Sequence, residues 1–192
     1  MFIVFEGIDG AGISTQAELL RRFLTRKGKK VILTKEPTNG VIGGLIRSVL
    51  RGELKLDNLS LQLLFAADRG KHLKETILPA LRKGYIVISD RYFLSSIAFG
   101  GLNVDMDFLK KLNSKFLHPD VTFIIDVSPR VSEKRRKGRI KKEIFESVEK
   151  AKRVRENYLK LAKEYERVYV INGERRIGEV AREIRKIINR FL

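Results

Sequence analysis

The chain has 192 residues, 43% hydrophobic and 33% charged, with no cysteine and two histidines; a full core can form, while disulfides, thiolate metal sites and histidine-rich metal sites are excluded. No apolar stretch approaches the length of a membrane span, and the opening residues lack a cleavable signal pattern, so the cytoplasm is the expected compartment. The formal net charge of +17, with most of the excess from Pro129 onward, leaves two readings: a nucleic-acid binder, or a protein of polyanionic small molecules with a thermophile-like surface.

Phe2–Phe5 is a short apolar run leading straight into a glycine loop, as a buried strand does. Residues 14–27 place Ala17, Leu20, Phe23 and Leu24 on one face, which predicts an amphipathic helix. Further strands are predicted at Val31–Thr34 and Tyr85–Ser89. Between them, 57–82 carries Leu61, Leu64, Phe65, Ala67, Leu73, Ile77 and Leu81, as two helices or one bent one. Val121–Val127 and Val168–Ile171 complete the strands, with helical periodicity from Val148 to Tyr165 and from Ile177 to Phe191. All five strand runs are apolar at consecutive positions, the pattern of strands covered on both faces. Their alternation with helices predicts a three-layer α/β fold with a five-stranded parallel sheet and right-handed crossovers. No repeat, low-complexity tract or linker interrupts residues 1–192, which are read as a single domain.

Between the first strand and first helix lies Gly7-Ile8-Asp9-Gly10-Ala11-Gly12-Ile13-Ser14-Thr15, the G-x4-G-x-[ST] frame of a phosphate-binding P-loop in its strand–turn–helix setting. Glycines let the backbone fold tightly enough for its N–H groups to surround phosphate oxygens, and the helix N-terminus adds positive partial charge. Ser14 stands where a hydroxyl ligates Mg²⁺. Position 13, however, is isoleucine, where the pattern has a lysine that reaches the β- and γ-phosphates of ATP. Losing one well-placed donor to transition-state charge costs on the order of 10²–10³ in rate. Either another cation substitutes, or the chain is a weak or non-catalytic relative that binds nucleotides with reduced or no turnover.

The blocks beyond the loop resemble those of thymidylate kinases over nearly the whole chain. These are Thr34-Lys35-Glu36-Pro37, Leu64-Phe65-Ala66-Ala67-Asp68-Arg69 followed by His72, Asp90-Arg91-Tyr92 followed by Ser95-Ser96 and Ala98-Phe99, Ile125-Asp126-Val127, and Arg135-Arg136-Lys137-Gly138-Arg139. The resemblance implies a P-loop nucleoside-monophosphate kinase fold with a short lid at about 133–145, transfer of a phosphoryl group from ATP to dTMP with Mg²⁺, and a homodimer. Apolar residues of 57–82 and 92–117 would supply the dimer interface or the core. Asp9 would hold the acceptor 3′-OH or a Mg²⁺-bound water, and Arg47 and Arg91 would clamp the acceptor phosphate. Arg47 also reads as a plain surface arginine of the helix after the second strand. Phe65 would stack on the base or serve as a core aromatic, with Arg69 on the same helix face donating to the base edge. Ser95 and Ser96 would border the base, Glu36 would orient the phosphate or sugar, and Asp90 would serve Mg²⁺. Position 10 is glycine, not a cation, so Arg135, Arg136 and Arg139 of the lid are the expected compensators for the missing lysine. Besides Ile13, three departures from the family pattern stand out. Lys35 replaces the usual arginine, Phe99 the usual tyrosine against the deoxyribose, and Gly100 the usual glutamine.

Overall fold

The computed structural model describes residues 1–136 and 147–192. Strands β1 (Phe2–Glu6), β2 (Val31–Lys35), β3 (Ile86–Asp90), β4 (Val121–Asp126) and β5 (Val168–Asn172) form one sheet in the order β2-β3-β1-β4-β5. Every pairing is parallel, with Phe2 opposite Val87 and Ile3 opposite Val121. The central strands β1, β3 and β4 are buried along almost their whole length, whereas the edge strands β2 and β5 are half-buried. Strands β2 and β3 lie on one side of β1, and β4 and β5 on the other. A crevice therefore opens at the carboxyl ends of the strands, where ligands bind in open α/β sheets.

The helices are α1 (Ile13–Arg26), α2 (Val41–Leu50), α3 (Asn58–His72), α4 (Leu78–Arg82), α5 (Phe93–Gly100), α6 (Met106–Asn113), α7 (Pro129–Arg136), α8 (Val148–Glu164) and α9 (Ile177–Ile188). Helix α1 buries Ala17, Leu20 and Leu24, and α9 buries Val180, Ala181, Ile184, Ile187 and Ile188. Each fully buried Leu or Ile in such a stripe contributes about 1.5–3 kcal/mol. Three helices start at residues whose side chains accept from the first-turn backbone: Asp57 from Ser60 N (2.9 Å), Asp105 from Phe108 N (2.7 Å) and Ser147 from Lys150 N (3.1 Å).

The 57–82 segment is one helical run: a π turn at Leu73–Ile77 joins α3 to α4. Pro79 has no N–H to donate to the carbonyl four residues back, and the helix widens just before it. A small apolar cluster of Ile46, Val49, Leu50 and Leu61 lies between α2 and α3, apart from the main core around the sheet. The segment expected as a lid at about 133–145 begins on α7, and its residues 137–146, Arg139 included, lie outside the described residues. No helix among the described residues is long and apolar enough to cross a membrane.

Candidate active site

Strand β1 ends in the phosphate loop, where Gly10 (φ 80°) and Gly12 (φ 95°) take left-handed conformations that side chains disfavour. A Cβ on Gly10 would also lie 2.8 Å from the Ser132 carbonyl oxygen, because α7 packs directly on the loop. The Ser132 hydroxyl donates to the Asp9 carbonyl at 2.6 Å and fastens the two together. Gly12 precedes the first turn of α1 with no side-chain cap, so the helix N-terminus faces an open cleft of about 800 Å³. That cleft is lined by residues 9–16 and runs past Arg135 to Arg175, Ile177 and Val180.

Ile13 opens α1 but turns inward: it is 7% exposed and joins the main core. The Ser14 hydroxyl donates to the Asp90 carboxylate at the end of β3, so a hydroxyl and a carboxylate meet at one point beside the loop. These hard oxygen donors suit Mg²⁺, which takes few protein ligands and completes its shell with substrate phosphates and water. No group of three or more acidic or histidine side chains able to hold a metal occurs among the described residues.

A second cavity, about 220 Å³, lies between α2, α3 and α5. It brings together Asp9, Glu36, Arg47, Phe65, Arg69, Arg91, Ser95, Ser96 and Phe99, all singled out in the sequence. Arg91, itself left-handed (φ 71°), pairs with Asp9 at 2.7 Å, donates to the Gly7 carbonyl at 2.8 Å, and lies 5.2 Å from the centre of the Phe99 ring. Burial acts to lower the basicity of this guanidinium, but the negative field led by Asp9 outweighs it and the group is held fully cationic. Beneath it, the buried Glu6 carboxylate accepts from Tyr92 N (3.0 Å), Ser95 N (3.2 Å), Ser95 Oγ (2.5 Å) and Tyr158 OH (3.0 Å). Burial nevertheless pushes its pKa up to about 7.

Arg69 is 1% exposed, and its guanidinium is held by Glu36 (Nε, 3.0 Å) and Ser96 Oγ (2.9 Å) and donates to Asn113 Oδ1. The other Glu36 oxygen meets His72 Nδ1 at 3.0 Å, and His72 Nε2 meets Thr34 Oγ1 at 2.7 Å. Glu36 thus reaches the cavity edge with its carboxylate already engaged by Arg69 and His72. Arg47 donates to the carbonyls of Pro37 (3.2 Å) and Thr38, and Asp68 accepts from Thr38 N (2.7 Å) and Oγ1 (2.6 Å); together they fix the chain after β2.

The two cavities share Asp9, Lys35, Glu36 and Arg91. The Lys35 side chain is exposed and makes no hydrogen bond or ion pair among the described residues, so an uncommitted ammonium stands where the cavities meet. In the sequence Lys35 stands out only as a replaced arginine; its place at the carboxyl end of a strand in an open α/β sheet is the signal for a site residue. The expected compensators sit differently. Arg135 lines the larger cleft while donating to the carbonyls of Ala11 (3.4 Å) and Gly173 (3.0 Å). Arg136 is buried, with its stem against Gly10. Gln62 also lines the smaller site, and Tyr158 stands behind it, 2.8 Å from Ser95 Oγ; neither stood out in the sequence, since each arrives on a helix whose periodicity reads simply as packing.

Residues 5–184 match the family model described as thymidylate kinase. A probable thymidylate kinase of Thermococcus gammatolerans is 44% identical to this chain, the match covering 96% of this chain and 93% of the relative. A thymidylate kinase of Thermosipho melanesiensis is 39% identical over 100% of this chain and 99% of its own. The crystal structure of thymidylate kinase from Ehrlichia chaffeensis superposes with a TM-score of 0.80 at 34% identity, covering 98% of each chain. A phosphate loop at the head of this sheet, two cavities meeting beside it and similarity along the whole chain agree: the chain belongs to the thymidylate kinase family.

Proposed function

We propose that this chain transfers the γ-phosphoryl of ATP to dTMP, giving dTDP and ADP, with Lys35 and Arg91 carrying charge that the loop lysine carries elsewhere. The observation behind this reading is the junction of the cavities: Asp9, Lys35, Glu36 and Arg91 border both. ATP would lie along the larger cleft with its phosphates in the loop. The dTMP base would enter the smaller cavity against Phe65, with Arg69 and Ser96 at its edge and Phe99 against the sugar. An oxygen of the dTMP phosphate then attacks the γ-phosphorus as the bond to the β-bridging oxygen breaks, without a covalent enzyme intermediate.

The protein's part is positioning and charge. Asp9 orients the Arg91 guanidinium toward the acceptor phosphate, and Arg47 borders the same end. Lys35 follows the migrating negative charge on a flexible stem, and Arg135 flanks the donor phosphates. Ser14 and Asp90 would hold Mg²⁺, which would supply neutralising charge to the donor phosphates. The cytoplasm, a single domain and a homodimer complete the reading. The dimer is supported by Leu59 and Leu63, 45% and 46% exposed one helical turn apart on α3.

The competing reading, a nucleotide-binding relative without turnover, is favoured by Ile13 alone. A coupled ADP-release assay with ATP, Mg²⁺ and dTMP, run on the chain and on its Ile13→Lys variant, separates them. We expect both to turn over, with the variant no more than about tenfold faster, because the substitute cations already supply much of the stabilisation one donor gives. Activity in the variant only assigns the chain to the competing reading.

A further inference from the structure

His72, the last residue of α3, is a buried titratable group to which the reaction above gives no part; its side chain is 2% exposed. Its Nδ1 lies 3.0 Å from Glu36 Oε1 and its Nε2 lies 2.7 Å from Thr34 Oγ1. These partners decide which nitrogen carries hydrogen. The Glu36 carboxylate is paired through its other oxygen with Arg69 (Nη2, 2.9 Å) and can only accept, so His72 Nδ1 must donate. The Thr34 hydroxyl can donate or accept, and so meets Nε2 whether that nitrogen is bare or protonated.

Arg69 and His72 are three residues apart on one face of α3 and grip the carboxylate by its two oxygens. Arg69 is itself fixed by Ser96 and Asn113, whereas Glu36 Oε1 has His72 as its one hydrogen-bond donor among the described residues. Glu36 borders both cavities, at the junction where two polyanions would meet. A carboxylate oxygen facing that junction repels an incoming phosphate. We propose that His72 is a positioning residue: its Nδ1–H keeps the Glu36 carboxylate turned toward α3, so that its charge does not face the acceptor phosphate. Without that donor the carboxylate can rotate about its last bond, a soft torsion, and present Oε1 to the junction. This role rests on dTMP as the acceptor.

The test is calorimetric titration of the full chain, without ATP, with dTMP and with thymidine, which lacks only the phosphate. An asparagine amide nitrogen falls near the place of a histidine Nδ1, and a glutamine amide near that of Nε2. His72→Asn therefore keeps a donor to Glu36, and His72→Gln keeps only the contact with Thr34. We expect His72→Gln to weaken dTMP about tenfold with thymidine unchanged, and His72→Asn to restore most of the loss. Equal losses for dTMP and thymidine, equal losses in the two variants, or no loss in either would reduce His72 to a packing residue and overturn the proposal. A long-range 1H–15N spectrum of the histidine-labelled wild type, with only His72 and His118 to assign, carries the test if the variants do not fold. It should show hydrogen on His72 Nδ1, and a bare Nδ1 overturns the proposal while leaving the dTMP reading intact. A wild-type chain that binds neither dTMP nor thymidine overturns the dTMP reading itself, and this role with it.

Discussion

Glu6 allows a quantitative test of how this site is held together. Its carboxyl is 0% exposed at the end of β1, with two backbone N–H groups and two hydroxyls directed at it and the Arg91 guanidinium close by. Hydrogen bonds and a neighbouring cation favour the ionised form, and burial opposes it; burial wins, taking the pKa from 4.5 to about 7. A carboxyl that holds its proton more tightly when folded contributes most stability below pH 4.5. That contribution declines as the pH rises toward 7 and is gone above it, because the folded chain must then ionise a group that the unfolded chain ionises freely. At about 1.4 kcal/mol for each pH unit in that window, the decline amounts to about 3 kcal/mol. Glu6→Gln removes the ionisation but keeps the shape. Its carbonyl accepts from the two N–H groups, and its amide donates to Ser95 and Tyr158, whose hydroxyls rotate to accept. Urea unfolding of both proteins from pH 4.5 to 8.5 should show the variant gaining on the wild type by about 3 kcal/mol over the window, a difference that cancels titrations elsewhere. A constant difference across the series would mean that the four donors outweigh burial and that Glu6 ionises normally in the fold.

Two further outcomes follow from the same geometry. Lys35→Met should lower kcat about 100-fold with little change in KM for either nucleotide, since the ammonium has no partner to lose in the resting protein and acts on developing charge; steady-state kinetics with unchanged kcat would pass that role to Arg135. Leu63→Glu should convert a dimer to a monomer in light scattering with the thermal midpoint nearly unchanged, because that side chain is already 46% exposed; a wild-type monomer at the same concentration would remove the homodimer from the proposal.

What the sequence disclosed depended on whether the information was local. The runs at Phe2–Phe5, Val31–Thr34 and Val168–Ile171 read as strands because a parallel sheet buries both faces, and each lies within a residue or two of the observed strand. The short helix at Met106–Asn113 had no such mark: it is brief and carries one buried aliphatic side chain, Leu109. Helix α7 was hidden by its charge, since Arg135 and Arg136 read as a basic lid while Ser132, the residue bound to the loop, carries no periodic signal. The cavity residues Phe65, Arg69, Arg91 and Ser96 were legible as consecutive blocks. Gln62 was not, because it lies on a helix whose periodicity reads as packing, and its place at the cavity follows from contacts with another helix, Gly100 among them.

Ile13 shows why binding and turnover need not stand or fall together in such a loop. The conformation of residues 7–12 is imposed by glycines at positive φ, by the Ser132 bond to the Asp9 carbonyl and by the start of α1; none of these involves the side chain at 13. The general P-loop pattern has a lysine at that position, whose ammonium reaches toward the phosphates. Here an isoleucine folds back into the core at 7% exposure and stabilises the loop from beneath instead. The backbone cradle therefore keeps its N–H groups, and what is lost is one mobile charge. Lys35 reaches the same junction from β2 with its ammonium uncommitted, so the charge can be supplied by a residue that the sequence places far from the loop and the sheet places beside it.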